Sequence, residues 1–339
     1  MKFNLESDIE PMKKRVWGRP ALGEFFALAL AFGMVGVFLW EQNRLPFIGF
    51  DLRVYFMGAN GNSGYQSYYY LYGYWILPIF SALNKLPYEV GFFLWSSLNI
   101  IGVFFAVRVF NGNAMIAILS YQMFYNLAYG NISGVIVGAL GLCWYGIVNR
   151  KWDLAGLGIA LASAKYQLGL IGSILLVLTA DISWKNRLRV FLVPTMIWLI
   201  SLLLYPGWIL QAFNILRNYP PNDFGSISLW RWAGPWALGF FLPPLFLKKK
   251  PHQKFLALVA AMGLALPYFQ HMDLLFLLVL PVGWVGLLGN LGYFMVVYGW
   301  NALRSLFIFP LTVFSLILIP ELWSAFRVHR ILNKYQKIH

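Results

Sequence analysis

Asp51 is the only acidic residue between Glu41 and Glu89. It stands two positions before Arg53 in a polar, glycine-rich stretch, Gly49 to Tyr70, that also holds Tyr55, Tyr65, Tyr68, Tyr69 and Tyr70. A carboxylate beside an arginine stays ionised, and an ionised, partly desolvated carboxylate can take a proton from a hydroxyl during group transfer. The same residues serve equally as a surface salt bridge or a helix cap, and the tyrosines as a sugar-stacking surface or an interfacial belt. Lys165 lies in the middle of an apolar run, 153–180. One helix through it would carry an ammonium to the bilayer centre, which is costly. A hairpin of two short helices instead puts it at an outer turn, where it meets a phosphate as a compact point charge or reaches up to the headgroups. Arg217, within the polar segment 206–230, and Arg231 just beyond it suit a phosphate clamp. Gln270 and His271, with Asp273 two residues on, sit between two apolar runs.

These residues need a scaffold, and the composition restricts it. The 339 residues are 60% hydrophobic, 19% aromatic and only 11% charged, with a mean hydropathy of +0.65. A soluble domain carries about 25% charged residues, so a soluble fold is excluded. A net charge of +14 would suggest nucleic acid on a soluble domain. Here the basic residues cluster between apolar runs, so no nucleic-acid partner is expected and the charge reads as membrane orientation. Cys143 is the one cysteine and lies in an apolar run, so neither a disulfide framework nor a Cys/His metal site is expected. No G-x-x-x-x-G-K-[ST], H-E-x-x-H or G-x-S-x-G pattern occurs, and no cofactor is implied.

The expected fold is all-α and polytopic, with ten to twelve transmembrane helices. Candidate spans are 21–40, 89–108, 113–129, 131–148, 153–164, 166–180, 188–205, 231–247, 253–268, 273–289, 291–303 and 305–320. A polar stretch of about twenty residues precedes the first apolar run with no small-residue cleavage site after it, so that run is expected to stay in the membrane. Lys13, Lys14, Arg15 and Arg19 place residues 1–20 in the cytoplasm and 41–88 outside. Counting 72–84, broken by Pro78, as a surface helix puts Arg108, Arg150–Lys151, Lys185–Arg189, Lys248–Lys250 and the tail 321–339 inside, with Lys85 and Arg304 as outside exceptions. The membrane domain is then 21–320, and Asp51, Asn131, Lys165, 206–230 and Gln270–His271 share the outer face. Charged groups gathered at span ends need a cavity or partners, which describes a site. A transporter or flippase is the alternative from another class, and a non-catalytic lipid-binding protein a third. The absence of an internal repeat weighs against transporters built from repeated halves.

The order of these motifs resembles a known family. Asp51-Leu-Arg-Val-Tyr55 after the first span resembles the membrane glycosyltransferases of GT-C type, and among them glycosyltransferase family 87, whose members include polyprenyl-phosphate-mannose-dependent mannosyltransferases. Tyr68–Tyr70 leading to Pro78 resembles the family's aromatic, proline-bearing surface helix. Tyr129-Gly-Asn-Ile-Ser133 resembles its Gly-Gln-x-Asn turn, with Asn131 where Gln is usual. Gly156 to Gln167 resembles its glycine-rich helix ending Lys-Pro, with Tyr166 in place of Pro. Pro267 to His271 resembles its late Ser-Pro-x-x-x-His stretch. The resemblance spans roughly residues 20–290. It implies a GT-C-type bundle in a prokaryotic plasma membrane with an outward-facing site, a polyprenyl-phosphate-linked sugar donor and a lipid or glycan acceptor, and inverting transfer without a metal. Asp51 would be the general base. Lys165, Arg217 and Arg231 would bind the donor phosphate, and Arg53, Tyr55, Tyr69, Asn131, Gln270 and His271 the substrates.

Overall fold

In the computed structural model, which describes Met12 and residues 15–59, 72–218, 226–247 and 251–321, every regular element is a helix and no strand occurs among these residues. Among the described residues, four helices are long and apolar enough to cross a membrane alone: Leu22–Glu41, Tyr88–Phe110, Trp184–Leu204 and Arg304–Glu321. At 1.5 Å per residue their 18–23 residues reach roughly the 30 Å of the hydrocarbon core. Tyr121–Tyr129 and Ser133–Val148 reach that length only when taken together, and the chain bends by 115° between them. The chain is a polytopic, all-α membrane protein.

The bend has a local cause. Gly130 ends the first half at φ +68°, and its N–H donates to the Asn126 and Leu127 carbonyls while Asn131 N–H returns to Asn126 O at 2.8 Å. This is the glycine C-cap that satisfies a helix's last carbonyls. A Cβ on Gly130 would also stand 2.9 Å from Leu52 Cβ, so the turn lets the Phe50–Ala59 helix approach. The first N–H groups of Ser133–Val148 find side chains instead of water. Asn131 accepts from Ser133 N at 3.0 Å, Asn126 from Gly134 N at 3.3 Å and Asn99 from Val135 N at 3.1 Å, while Trp95 Nε1 donates to Gly130 O at 2.8 Å. Unsatisfied backbone groups in a membrane interior each cost several kcal/mol, about the value of these bonds in hydrocarbon.

Ser133–Val148 packs between Tyr88–Phe110 and Trp152–Ala162. Gly102 and Gly138 face each other where the first pair crosses, so that a Cβ on Gly138 would lie 2.6 Å from Gly102 Cα; small residues permit such close helix contact in membranes. The run 153–180 is divided as the hairpin reading expects, into Trp152–Ala162 and Tyr166–Thr179 with Lys165 at the break. The second helix opens with a wide π-type turn over Tyr166–Leu170.

Several expectations change. The stretch after the first span is not all loop, because Phe50–Ala59 is a helix with Asp51 in its first turn. Helix Tyr74–Leu83 is too short to span, and it is tied to the Lys165 break by Gly73 N to Ala164 O at 3.1 Å and Trp75 Nε1 to Ala160 O at 2.9 Å. The boundary expected near residue 290 falls earlier. His271–Leu278 is buried, the chain breaks at Pro281 and Gly283 (φ +60°), and Gly283–Tyr298 follows. The chain turns again at Gly299 (φ +84°), a glycine in the left-handed region that redirects it ahead of the Arg304–Glu321 helix. Arg108, counted above only as an inner-side basic residue, is 5% exposed, pairs with Glu24 at 2.5 Å and donates to the Arg15, Gly18 and Arg19 carbonyls, fastening the N-terminal segment to the bundle.

Candidate active site

Four chain breaks bring their polar side chains to one place. Asp51 sits in the first turn of Phe50–Ala59, and Asn131 and Ser133 at the bend before Ser133–Val148. Lys165 precedes Tyr166–Thr179, and Asp273 lies in the first turn of the helix that opens at His271. Each is at a helix N-terminus, where backbone N–H groups and the helix dipole favour negative charge. That shared feature offsets part of the cost of two carboxylates in an apolar bundle.

The contacts form one chain of hydrogen bonds. Asn131 Nδ2 donates to Asp51 Oδ2 at 2.6 Å. Asn131 Oδ1 accepts from Ser133 N at 3.0 Å and faces Ser133 Oγ at 2.8 Å. Lys165 Nζ donates to Ser133 Oγ at 2.8 Å and to Asp273 Oδ1 at 2.5 Å. The Ser133 hydroxyl also lies 3.1 Å from Asp273 Oδ1, but it has one proton to give. Gln270 N–H caps Asp273 Oδ2 at 3.0 Å. Asn131, Ser133, Lys165, His271 and Asp273 are all buried, whereas Asp51 is partly exposed. Its second oxygen, Oδ1, has no hydrogen-bond partner among the described residues.

Removal from water is the main influence on the Asp51 carboxyl and raises it to about 6; the Asn131 bond and the Lys165 charge oppose that rise. A carboxyl poised there is half-ionised just below neutral pH and accepts a proton more readily than an ordinary aspartate. Burial, together with the Lys165 charge, pushes the His271 imidazole down to about 3, so it is neutral at physiological pH. Its ring lies between Tyr121, at 5.5 Å, and Tyr125, at 4.8 Å edge-on, and Tyr125 stacks on Tyr129 at 4.7 Å. One helix thus presents three tyrosines four residues apart, beside the imidazole.

Other expected site residues sit differently. Arg53 does not pair with Asp51. It donates to the Pro46 carbonyl at 3.0 Å and to that of Ile48, and lies 5.5 Å over the Tyr88 ring. Residues two apart on a helix do not face each other, so the salt bridge read from their spacing is replaced by the Asn131 bond. Tyr55 is buried against Phe80 and Trp95 and donates to Tyr72 Oη at 3.0 Å. Tyr69, with Tyr65, Tyr68 and Tyr70, lies outside the described residues. Lys165 is not an uncommitted cation at an outer turn, since it is 2% exposed and paired with Asp273. Arg217 and Arg231 are exposed and, among the described residues, make no hydrogen bond or ion pair with the Asp51 group. The elements carrying them nonetheless adjoin it. Trp208, at the start of the Arg217 helix, is stacked 6.3 Å from Tyr166. Ahead of Arg231, Ile227 N–H donates to Phe269 O at 2.9 Å.

Sequence reasoning passed over Ser133 and Asp273 as members of the site, and over Asn99, Asn126 and Tyr72. Ser133 and Asp273 lie within the motifs themselves, two residues after Asn131 and two after His271. The signal that would have found Asp273 is charge balance, because a lysine buried in an apolar run demands a carboxylate.

The model of glycosyltransferase family 87 matches residues 70–288. The match takes in Asn131, Ser133, Lys165, Arg217, Arg231, Gln270, His271 and Asp273, and begins after Asp51. No curated protein matches the chain. With well over half of its residues covered, in a polytopic helical fold, the chain belongs to glycosyltransferase family 87 and is a membrane glycosyltransferase, acting on a sugar donor and an acceptor.

Proposed function

We propose that this glycosyltransferase moves a monosaccharide, mannose or a related sugar, from a polyprenyl-phosphate donor to a lipid or glycan acceptor at the outer face of a prokaryotic plasma membrane. Transfer proceeds with inversion and without a metal. Asp51 is the general base. Its Oδ1 takes the acceptor hydroxyl proton as that oxygen attacks the anomeric carbon; the glycosidic bond to the phosphate breaks, and the polyprenyl phosphate leaves with the electron pair. The observation that carries this reading is the state of Asp51. One oxygen is held by Asn131 at 2.6 Å, the other has no partner among the described residues, and the carboxyl titrates near 6.

The leaving phosphate needs positive charge, and Lys165 is already matched by Asp273. Arg217 and Arg231, exposed on segments that adjoin the Lys165 and His271 breaks, are the cations assigned to it. Positioned electrostatics of this kind contribute up to about 3 kcal/mol per group. The neutral His271 and the Tyr125–Tyr129 pair suit a sugar ring, with imidazole as a hydrogen-bonding group and aromatic faces for stacking. Arg53 and Tyr55 act as supports of the Asp51 helix.

The test is transfer of radiolabelled sugar from polyprenyl-phosphate donors in membranes. Asp51→Asn is expected to lower the rate by roughly 10²–10⁴-fold, the range of general-base contributions, while the protein accumulates normally. Full transfer by a folded Asp51→Asn enzyme would refute the assignment.

A further inference from the structure

The mechanism uses Asp51, yet the most deeply buried charges in the site are Lys165 and Asp273, at 2% and 0% side-chain exposure. A buried ion pair is not in itself a source of stability, because desolvation offsets the attraction. This one is placed where its hydrogen bonds decide the orientation of another group. The Asn131 side chain has an oxygen end and an amino end that a half-turn interchanges, and which end faces Asp51 depends on its neighbours. The Ser133 hydroxyl accepts from the Lys165 ammonium at 2.8 Å, so its own proton must point elsewhere. Asn131 Oδ1, at 2.8 Å, is nearer than Asp273 Oδ1 at 3.1 Å, which already accepts from Lys165 at 2.5 Å. With Ser133 N–H also donating to Asn131 Oδ1 at 3.0 Å, the amide oxygen has two donors and the amino end faces Asp51. The flipped amide would set N–H against N–H and oxygen against carboxylate.

We propose that Lys165 and Asp273 are positioning residues, which act through the Ser133 hydroxyl to lock Asn131 with its amino group toward Asp51. Asp51 Oδ2 is thereby fixed and Oδ1 is left for the acceptor proton. This rests on the reading of Asp51 as the base. It moves Lys165 from a donor-binding role to an internal one.

The experiment is steady-state sugar transfer with purified enzyme in detergent or nanodiscs, varying the polyprenyl-phosphate donor and the pH. Ser133→Ala keeps the ion pair and cuts the link. It should lower kcat about tenfold with donor KM unchanged. Lys165→Met combined with Asp273→Asn removes both charges without stranding either, and should cost about a hundredfold in kcat. The charged and titratable groups near Asp51 are Lys165, Asp273, Tyr72, Tyr129 and His271. Of these, Lys165 opposes the rise of the carboxyl, so in the double variant the acid limb of the pH profile should move above its wild-type position. A residue that merely held the fold would change the yield of folded enzyme and leave kcat per folded molecule in place. Asn131→Ala should lose as much as Asn131→Ala with Ser133→Ala together, because the two sit on one path.

A severalfold rise in donor KM with kcat unchanged would overturn the proposal and return Lys165 to the phosphate. Unchanged kinetics in Ser133→Ala, or additive losses in the Asn131 and Ser133 pair, would overturn it too. If the charge-free double variant does not accumulate, the Ser133 and Asn131 variants decide alone. Failure of the underlying reading is separate, since it shows as full transfer by Asp51→Asn, whereas failure of positioning shows as an inactive Asp51→Asn beside an unaffected Ser133→Ala.

Discussion

At the scale of single residues, the site is defined by how its charges are matched. Asp51 is partly exposed with one neutral hydrogen-bond partner, while Lys165 and Asp273 neutralise each other out of water. The pH dependence follows. In the proposed role of base Asp51 acts only when ionised, so kcat/KM should fall as pH drops through about 6, and a profile flat to pH 5 would contradict that role. The carboxyl binds its proton more tightly folded than unfolded. Its contribution to stability is therefore fully present below the unfolded value near 4 and is lost as pH rises through about 6. Holding it ionised at neutral pH costs on the order of 2–3 kcal/mol. Asp51→Asn, which keeps an oxygen for Asn131, should consequently unfold at a higher temperature than wild type at pH 7. The difference should shrink toward pH 4, as thermal scans in detergent would read.

At the scale of elements, the site depends on interrupted helices. The bend at Gly130 places Asn131 and Ser133 beside Asp51, and side chains from two helices satisfy the backbone groups it frees. Asn126→Ala would leave Gly134 N–H without its acceptor and take from Asn99 Oδ1 one of its two donors, Val135 N–H being the other. A loss of about 1–3 kcal/mol is expected from the buried unsatisfied N–H, measured as a lowered unfolding temperature. Gly130→Ala combines a residue at φ +68° with a Cβ 2.9 Å from Leu52 Cβ. The backbone term alone is about 1 kcal/mol or more, and displacement of the Phe50–Ala59 helix should lower transfer as well as stability. Normal transfer by this variant would show that the site tolerates movement of the Asp51 helix.

At the scale of the whole molecule, the breaks cluster at one place in the bundle, whereas Arg108 and Glu24 fasten the N-terminal segment through a separate network. The orientation inferred from basic residues can be read without structure. Cys143 is buried, so the native thiol gives a quiet background for labelling. An exposed cysteine in place of Lys85 should react with a membrane-impermeant maleimide on intact cells, and one in place of Lys151 only after permeabilisation. The opposite pattern would invert the topology and place the site on the cytoplasmic side.

Hydropathy by itself determined the all-helical membrane class, because runs of about twenty apolar residues have no other stable form in lipid. A lysine inside an apolar run likewise forced the break at Lys165, and glycine chemistry made the turn at Gly130 readable. Spacing misled where it stood in for contact. Asp51 and Arg53 are neighbours in the chain, yet their side chains leave the helix in different directions, and the partner of Asp51 comes from residue 131. Only the tertiary structure could match Lys165 with Asp273, 108 positions apart, and link both to Asn131 through Ser133. The reason is that a charge buried in an apolar bundle is governed by what surrounds it in space, and sequence separation carries no information about that.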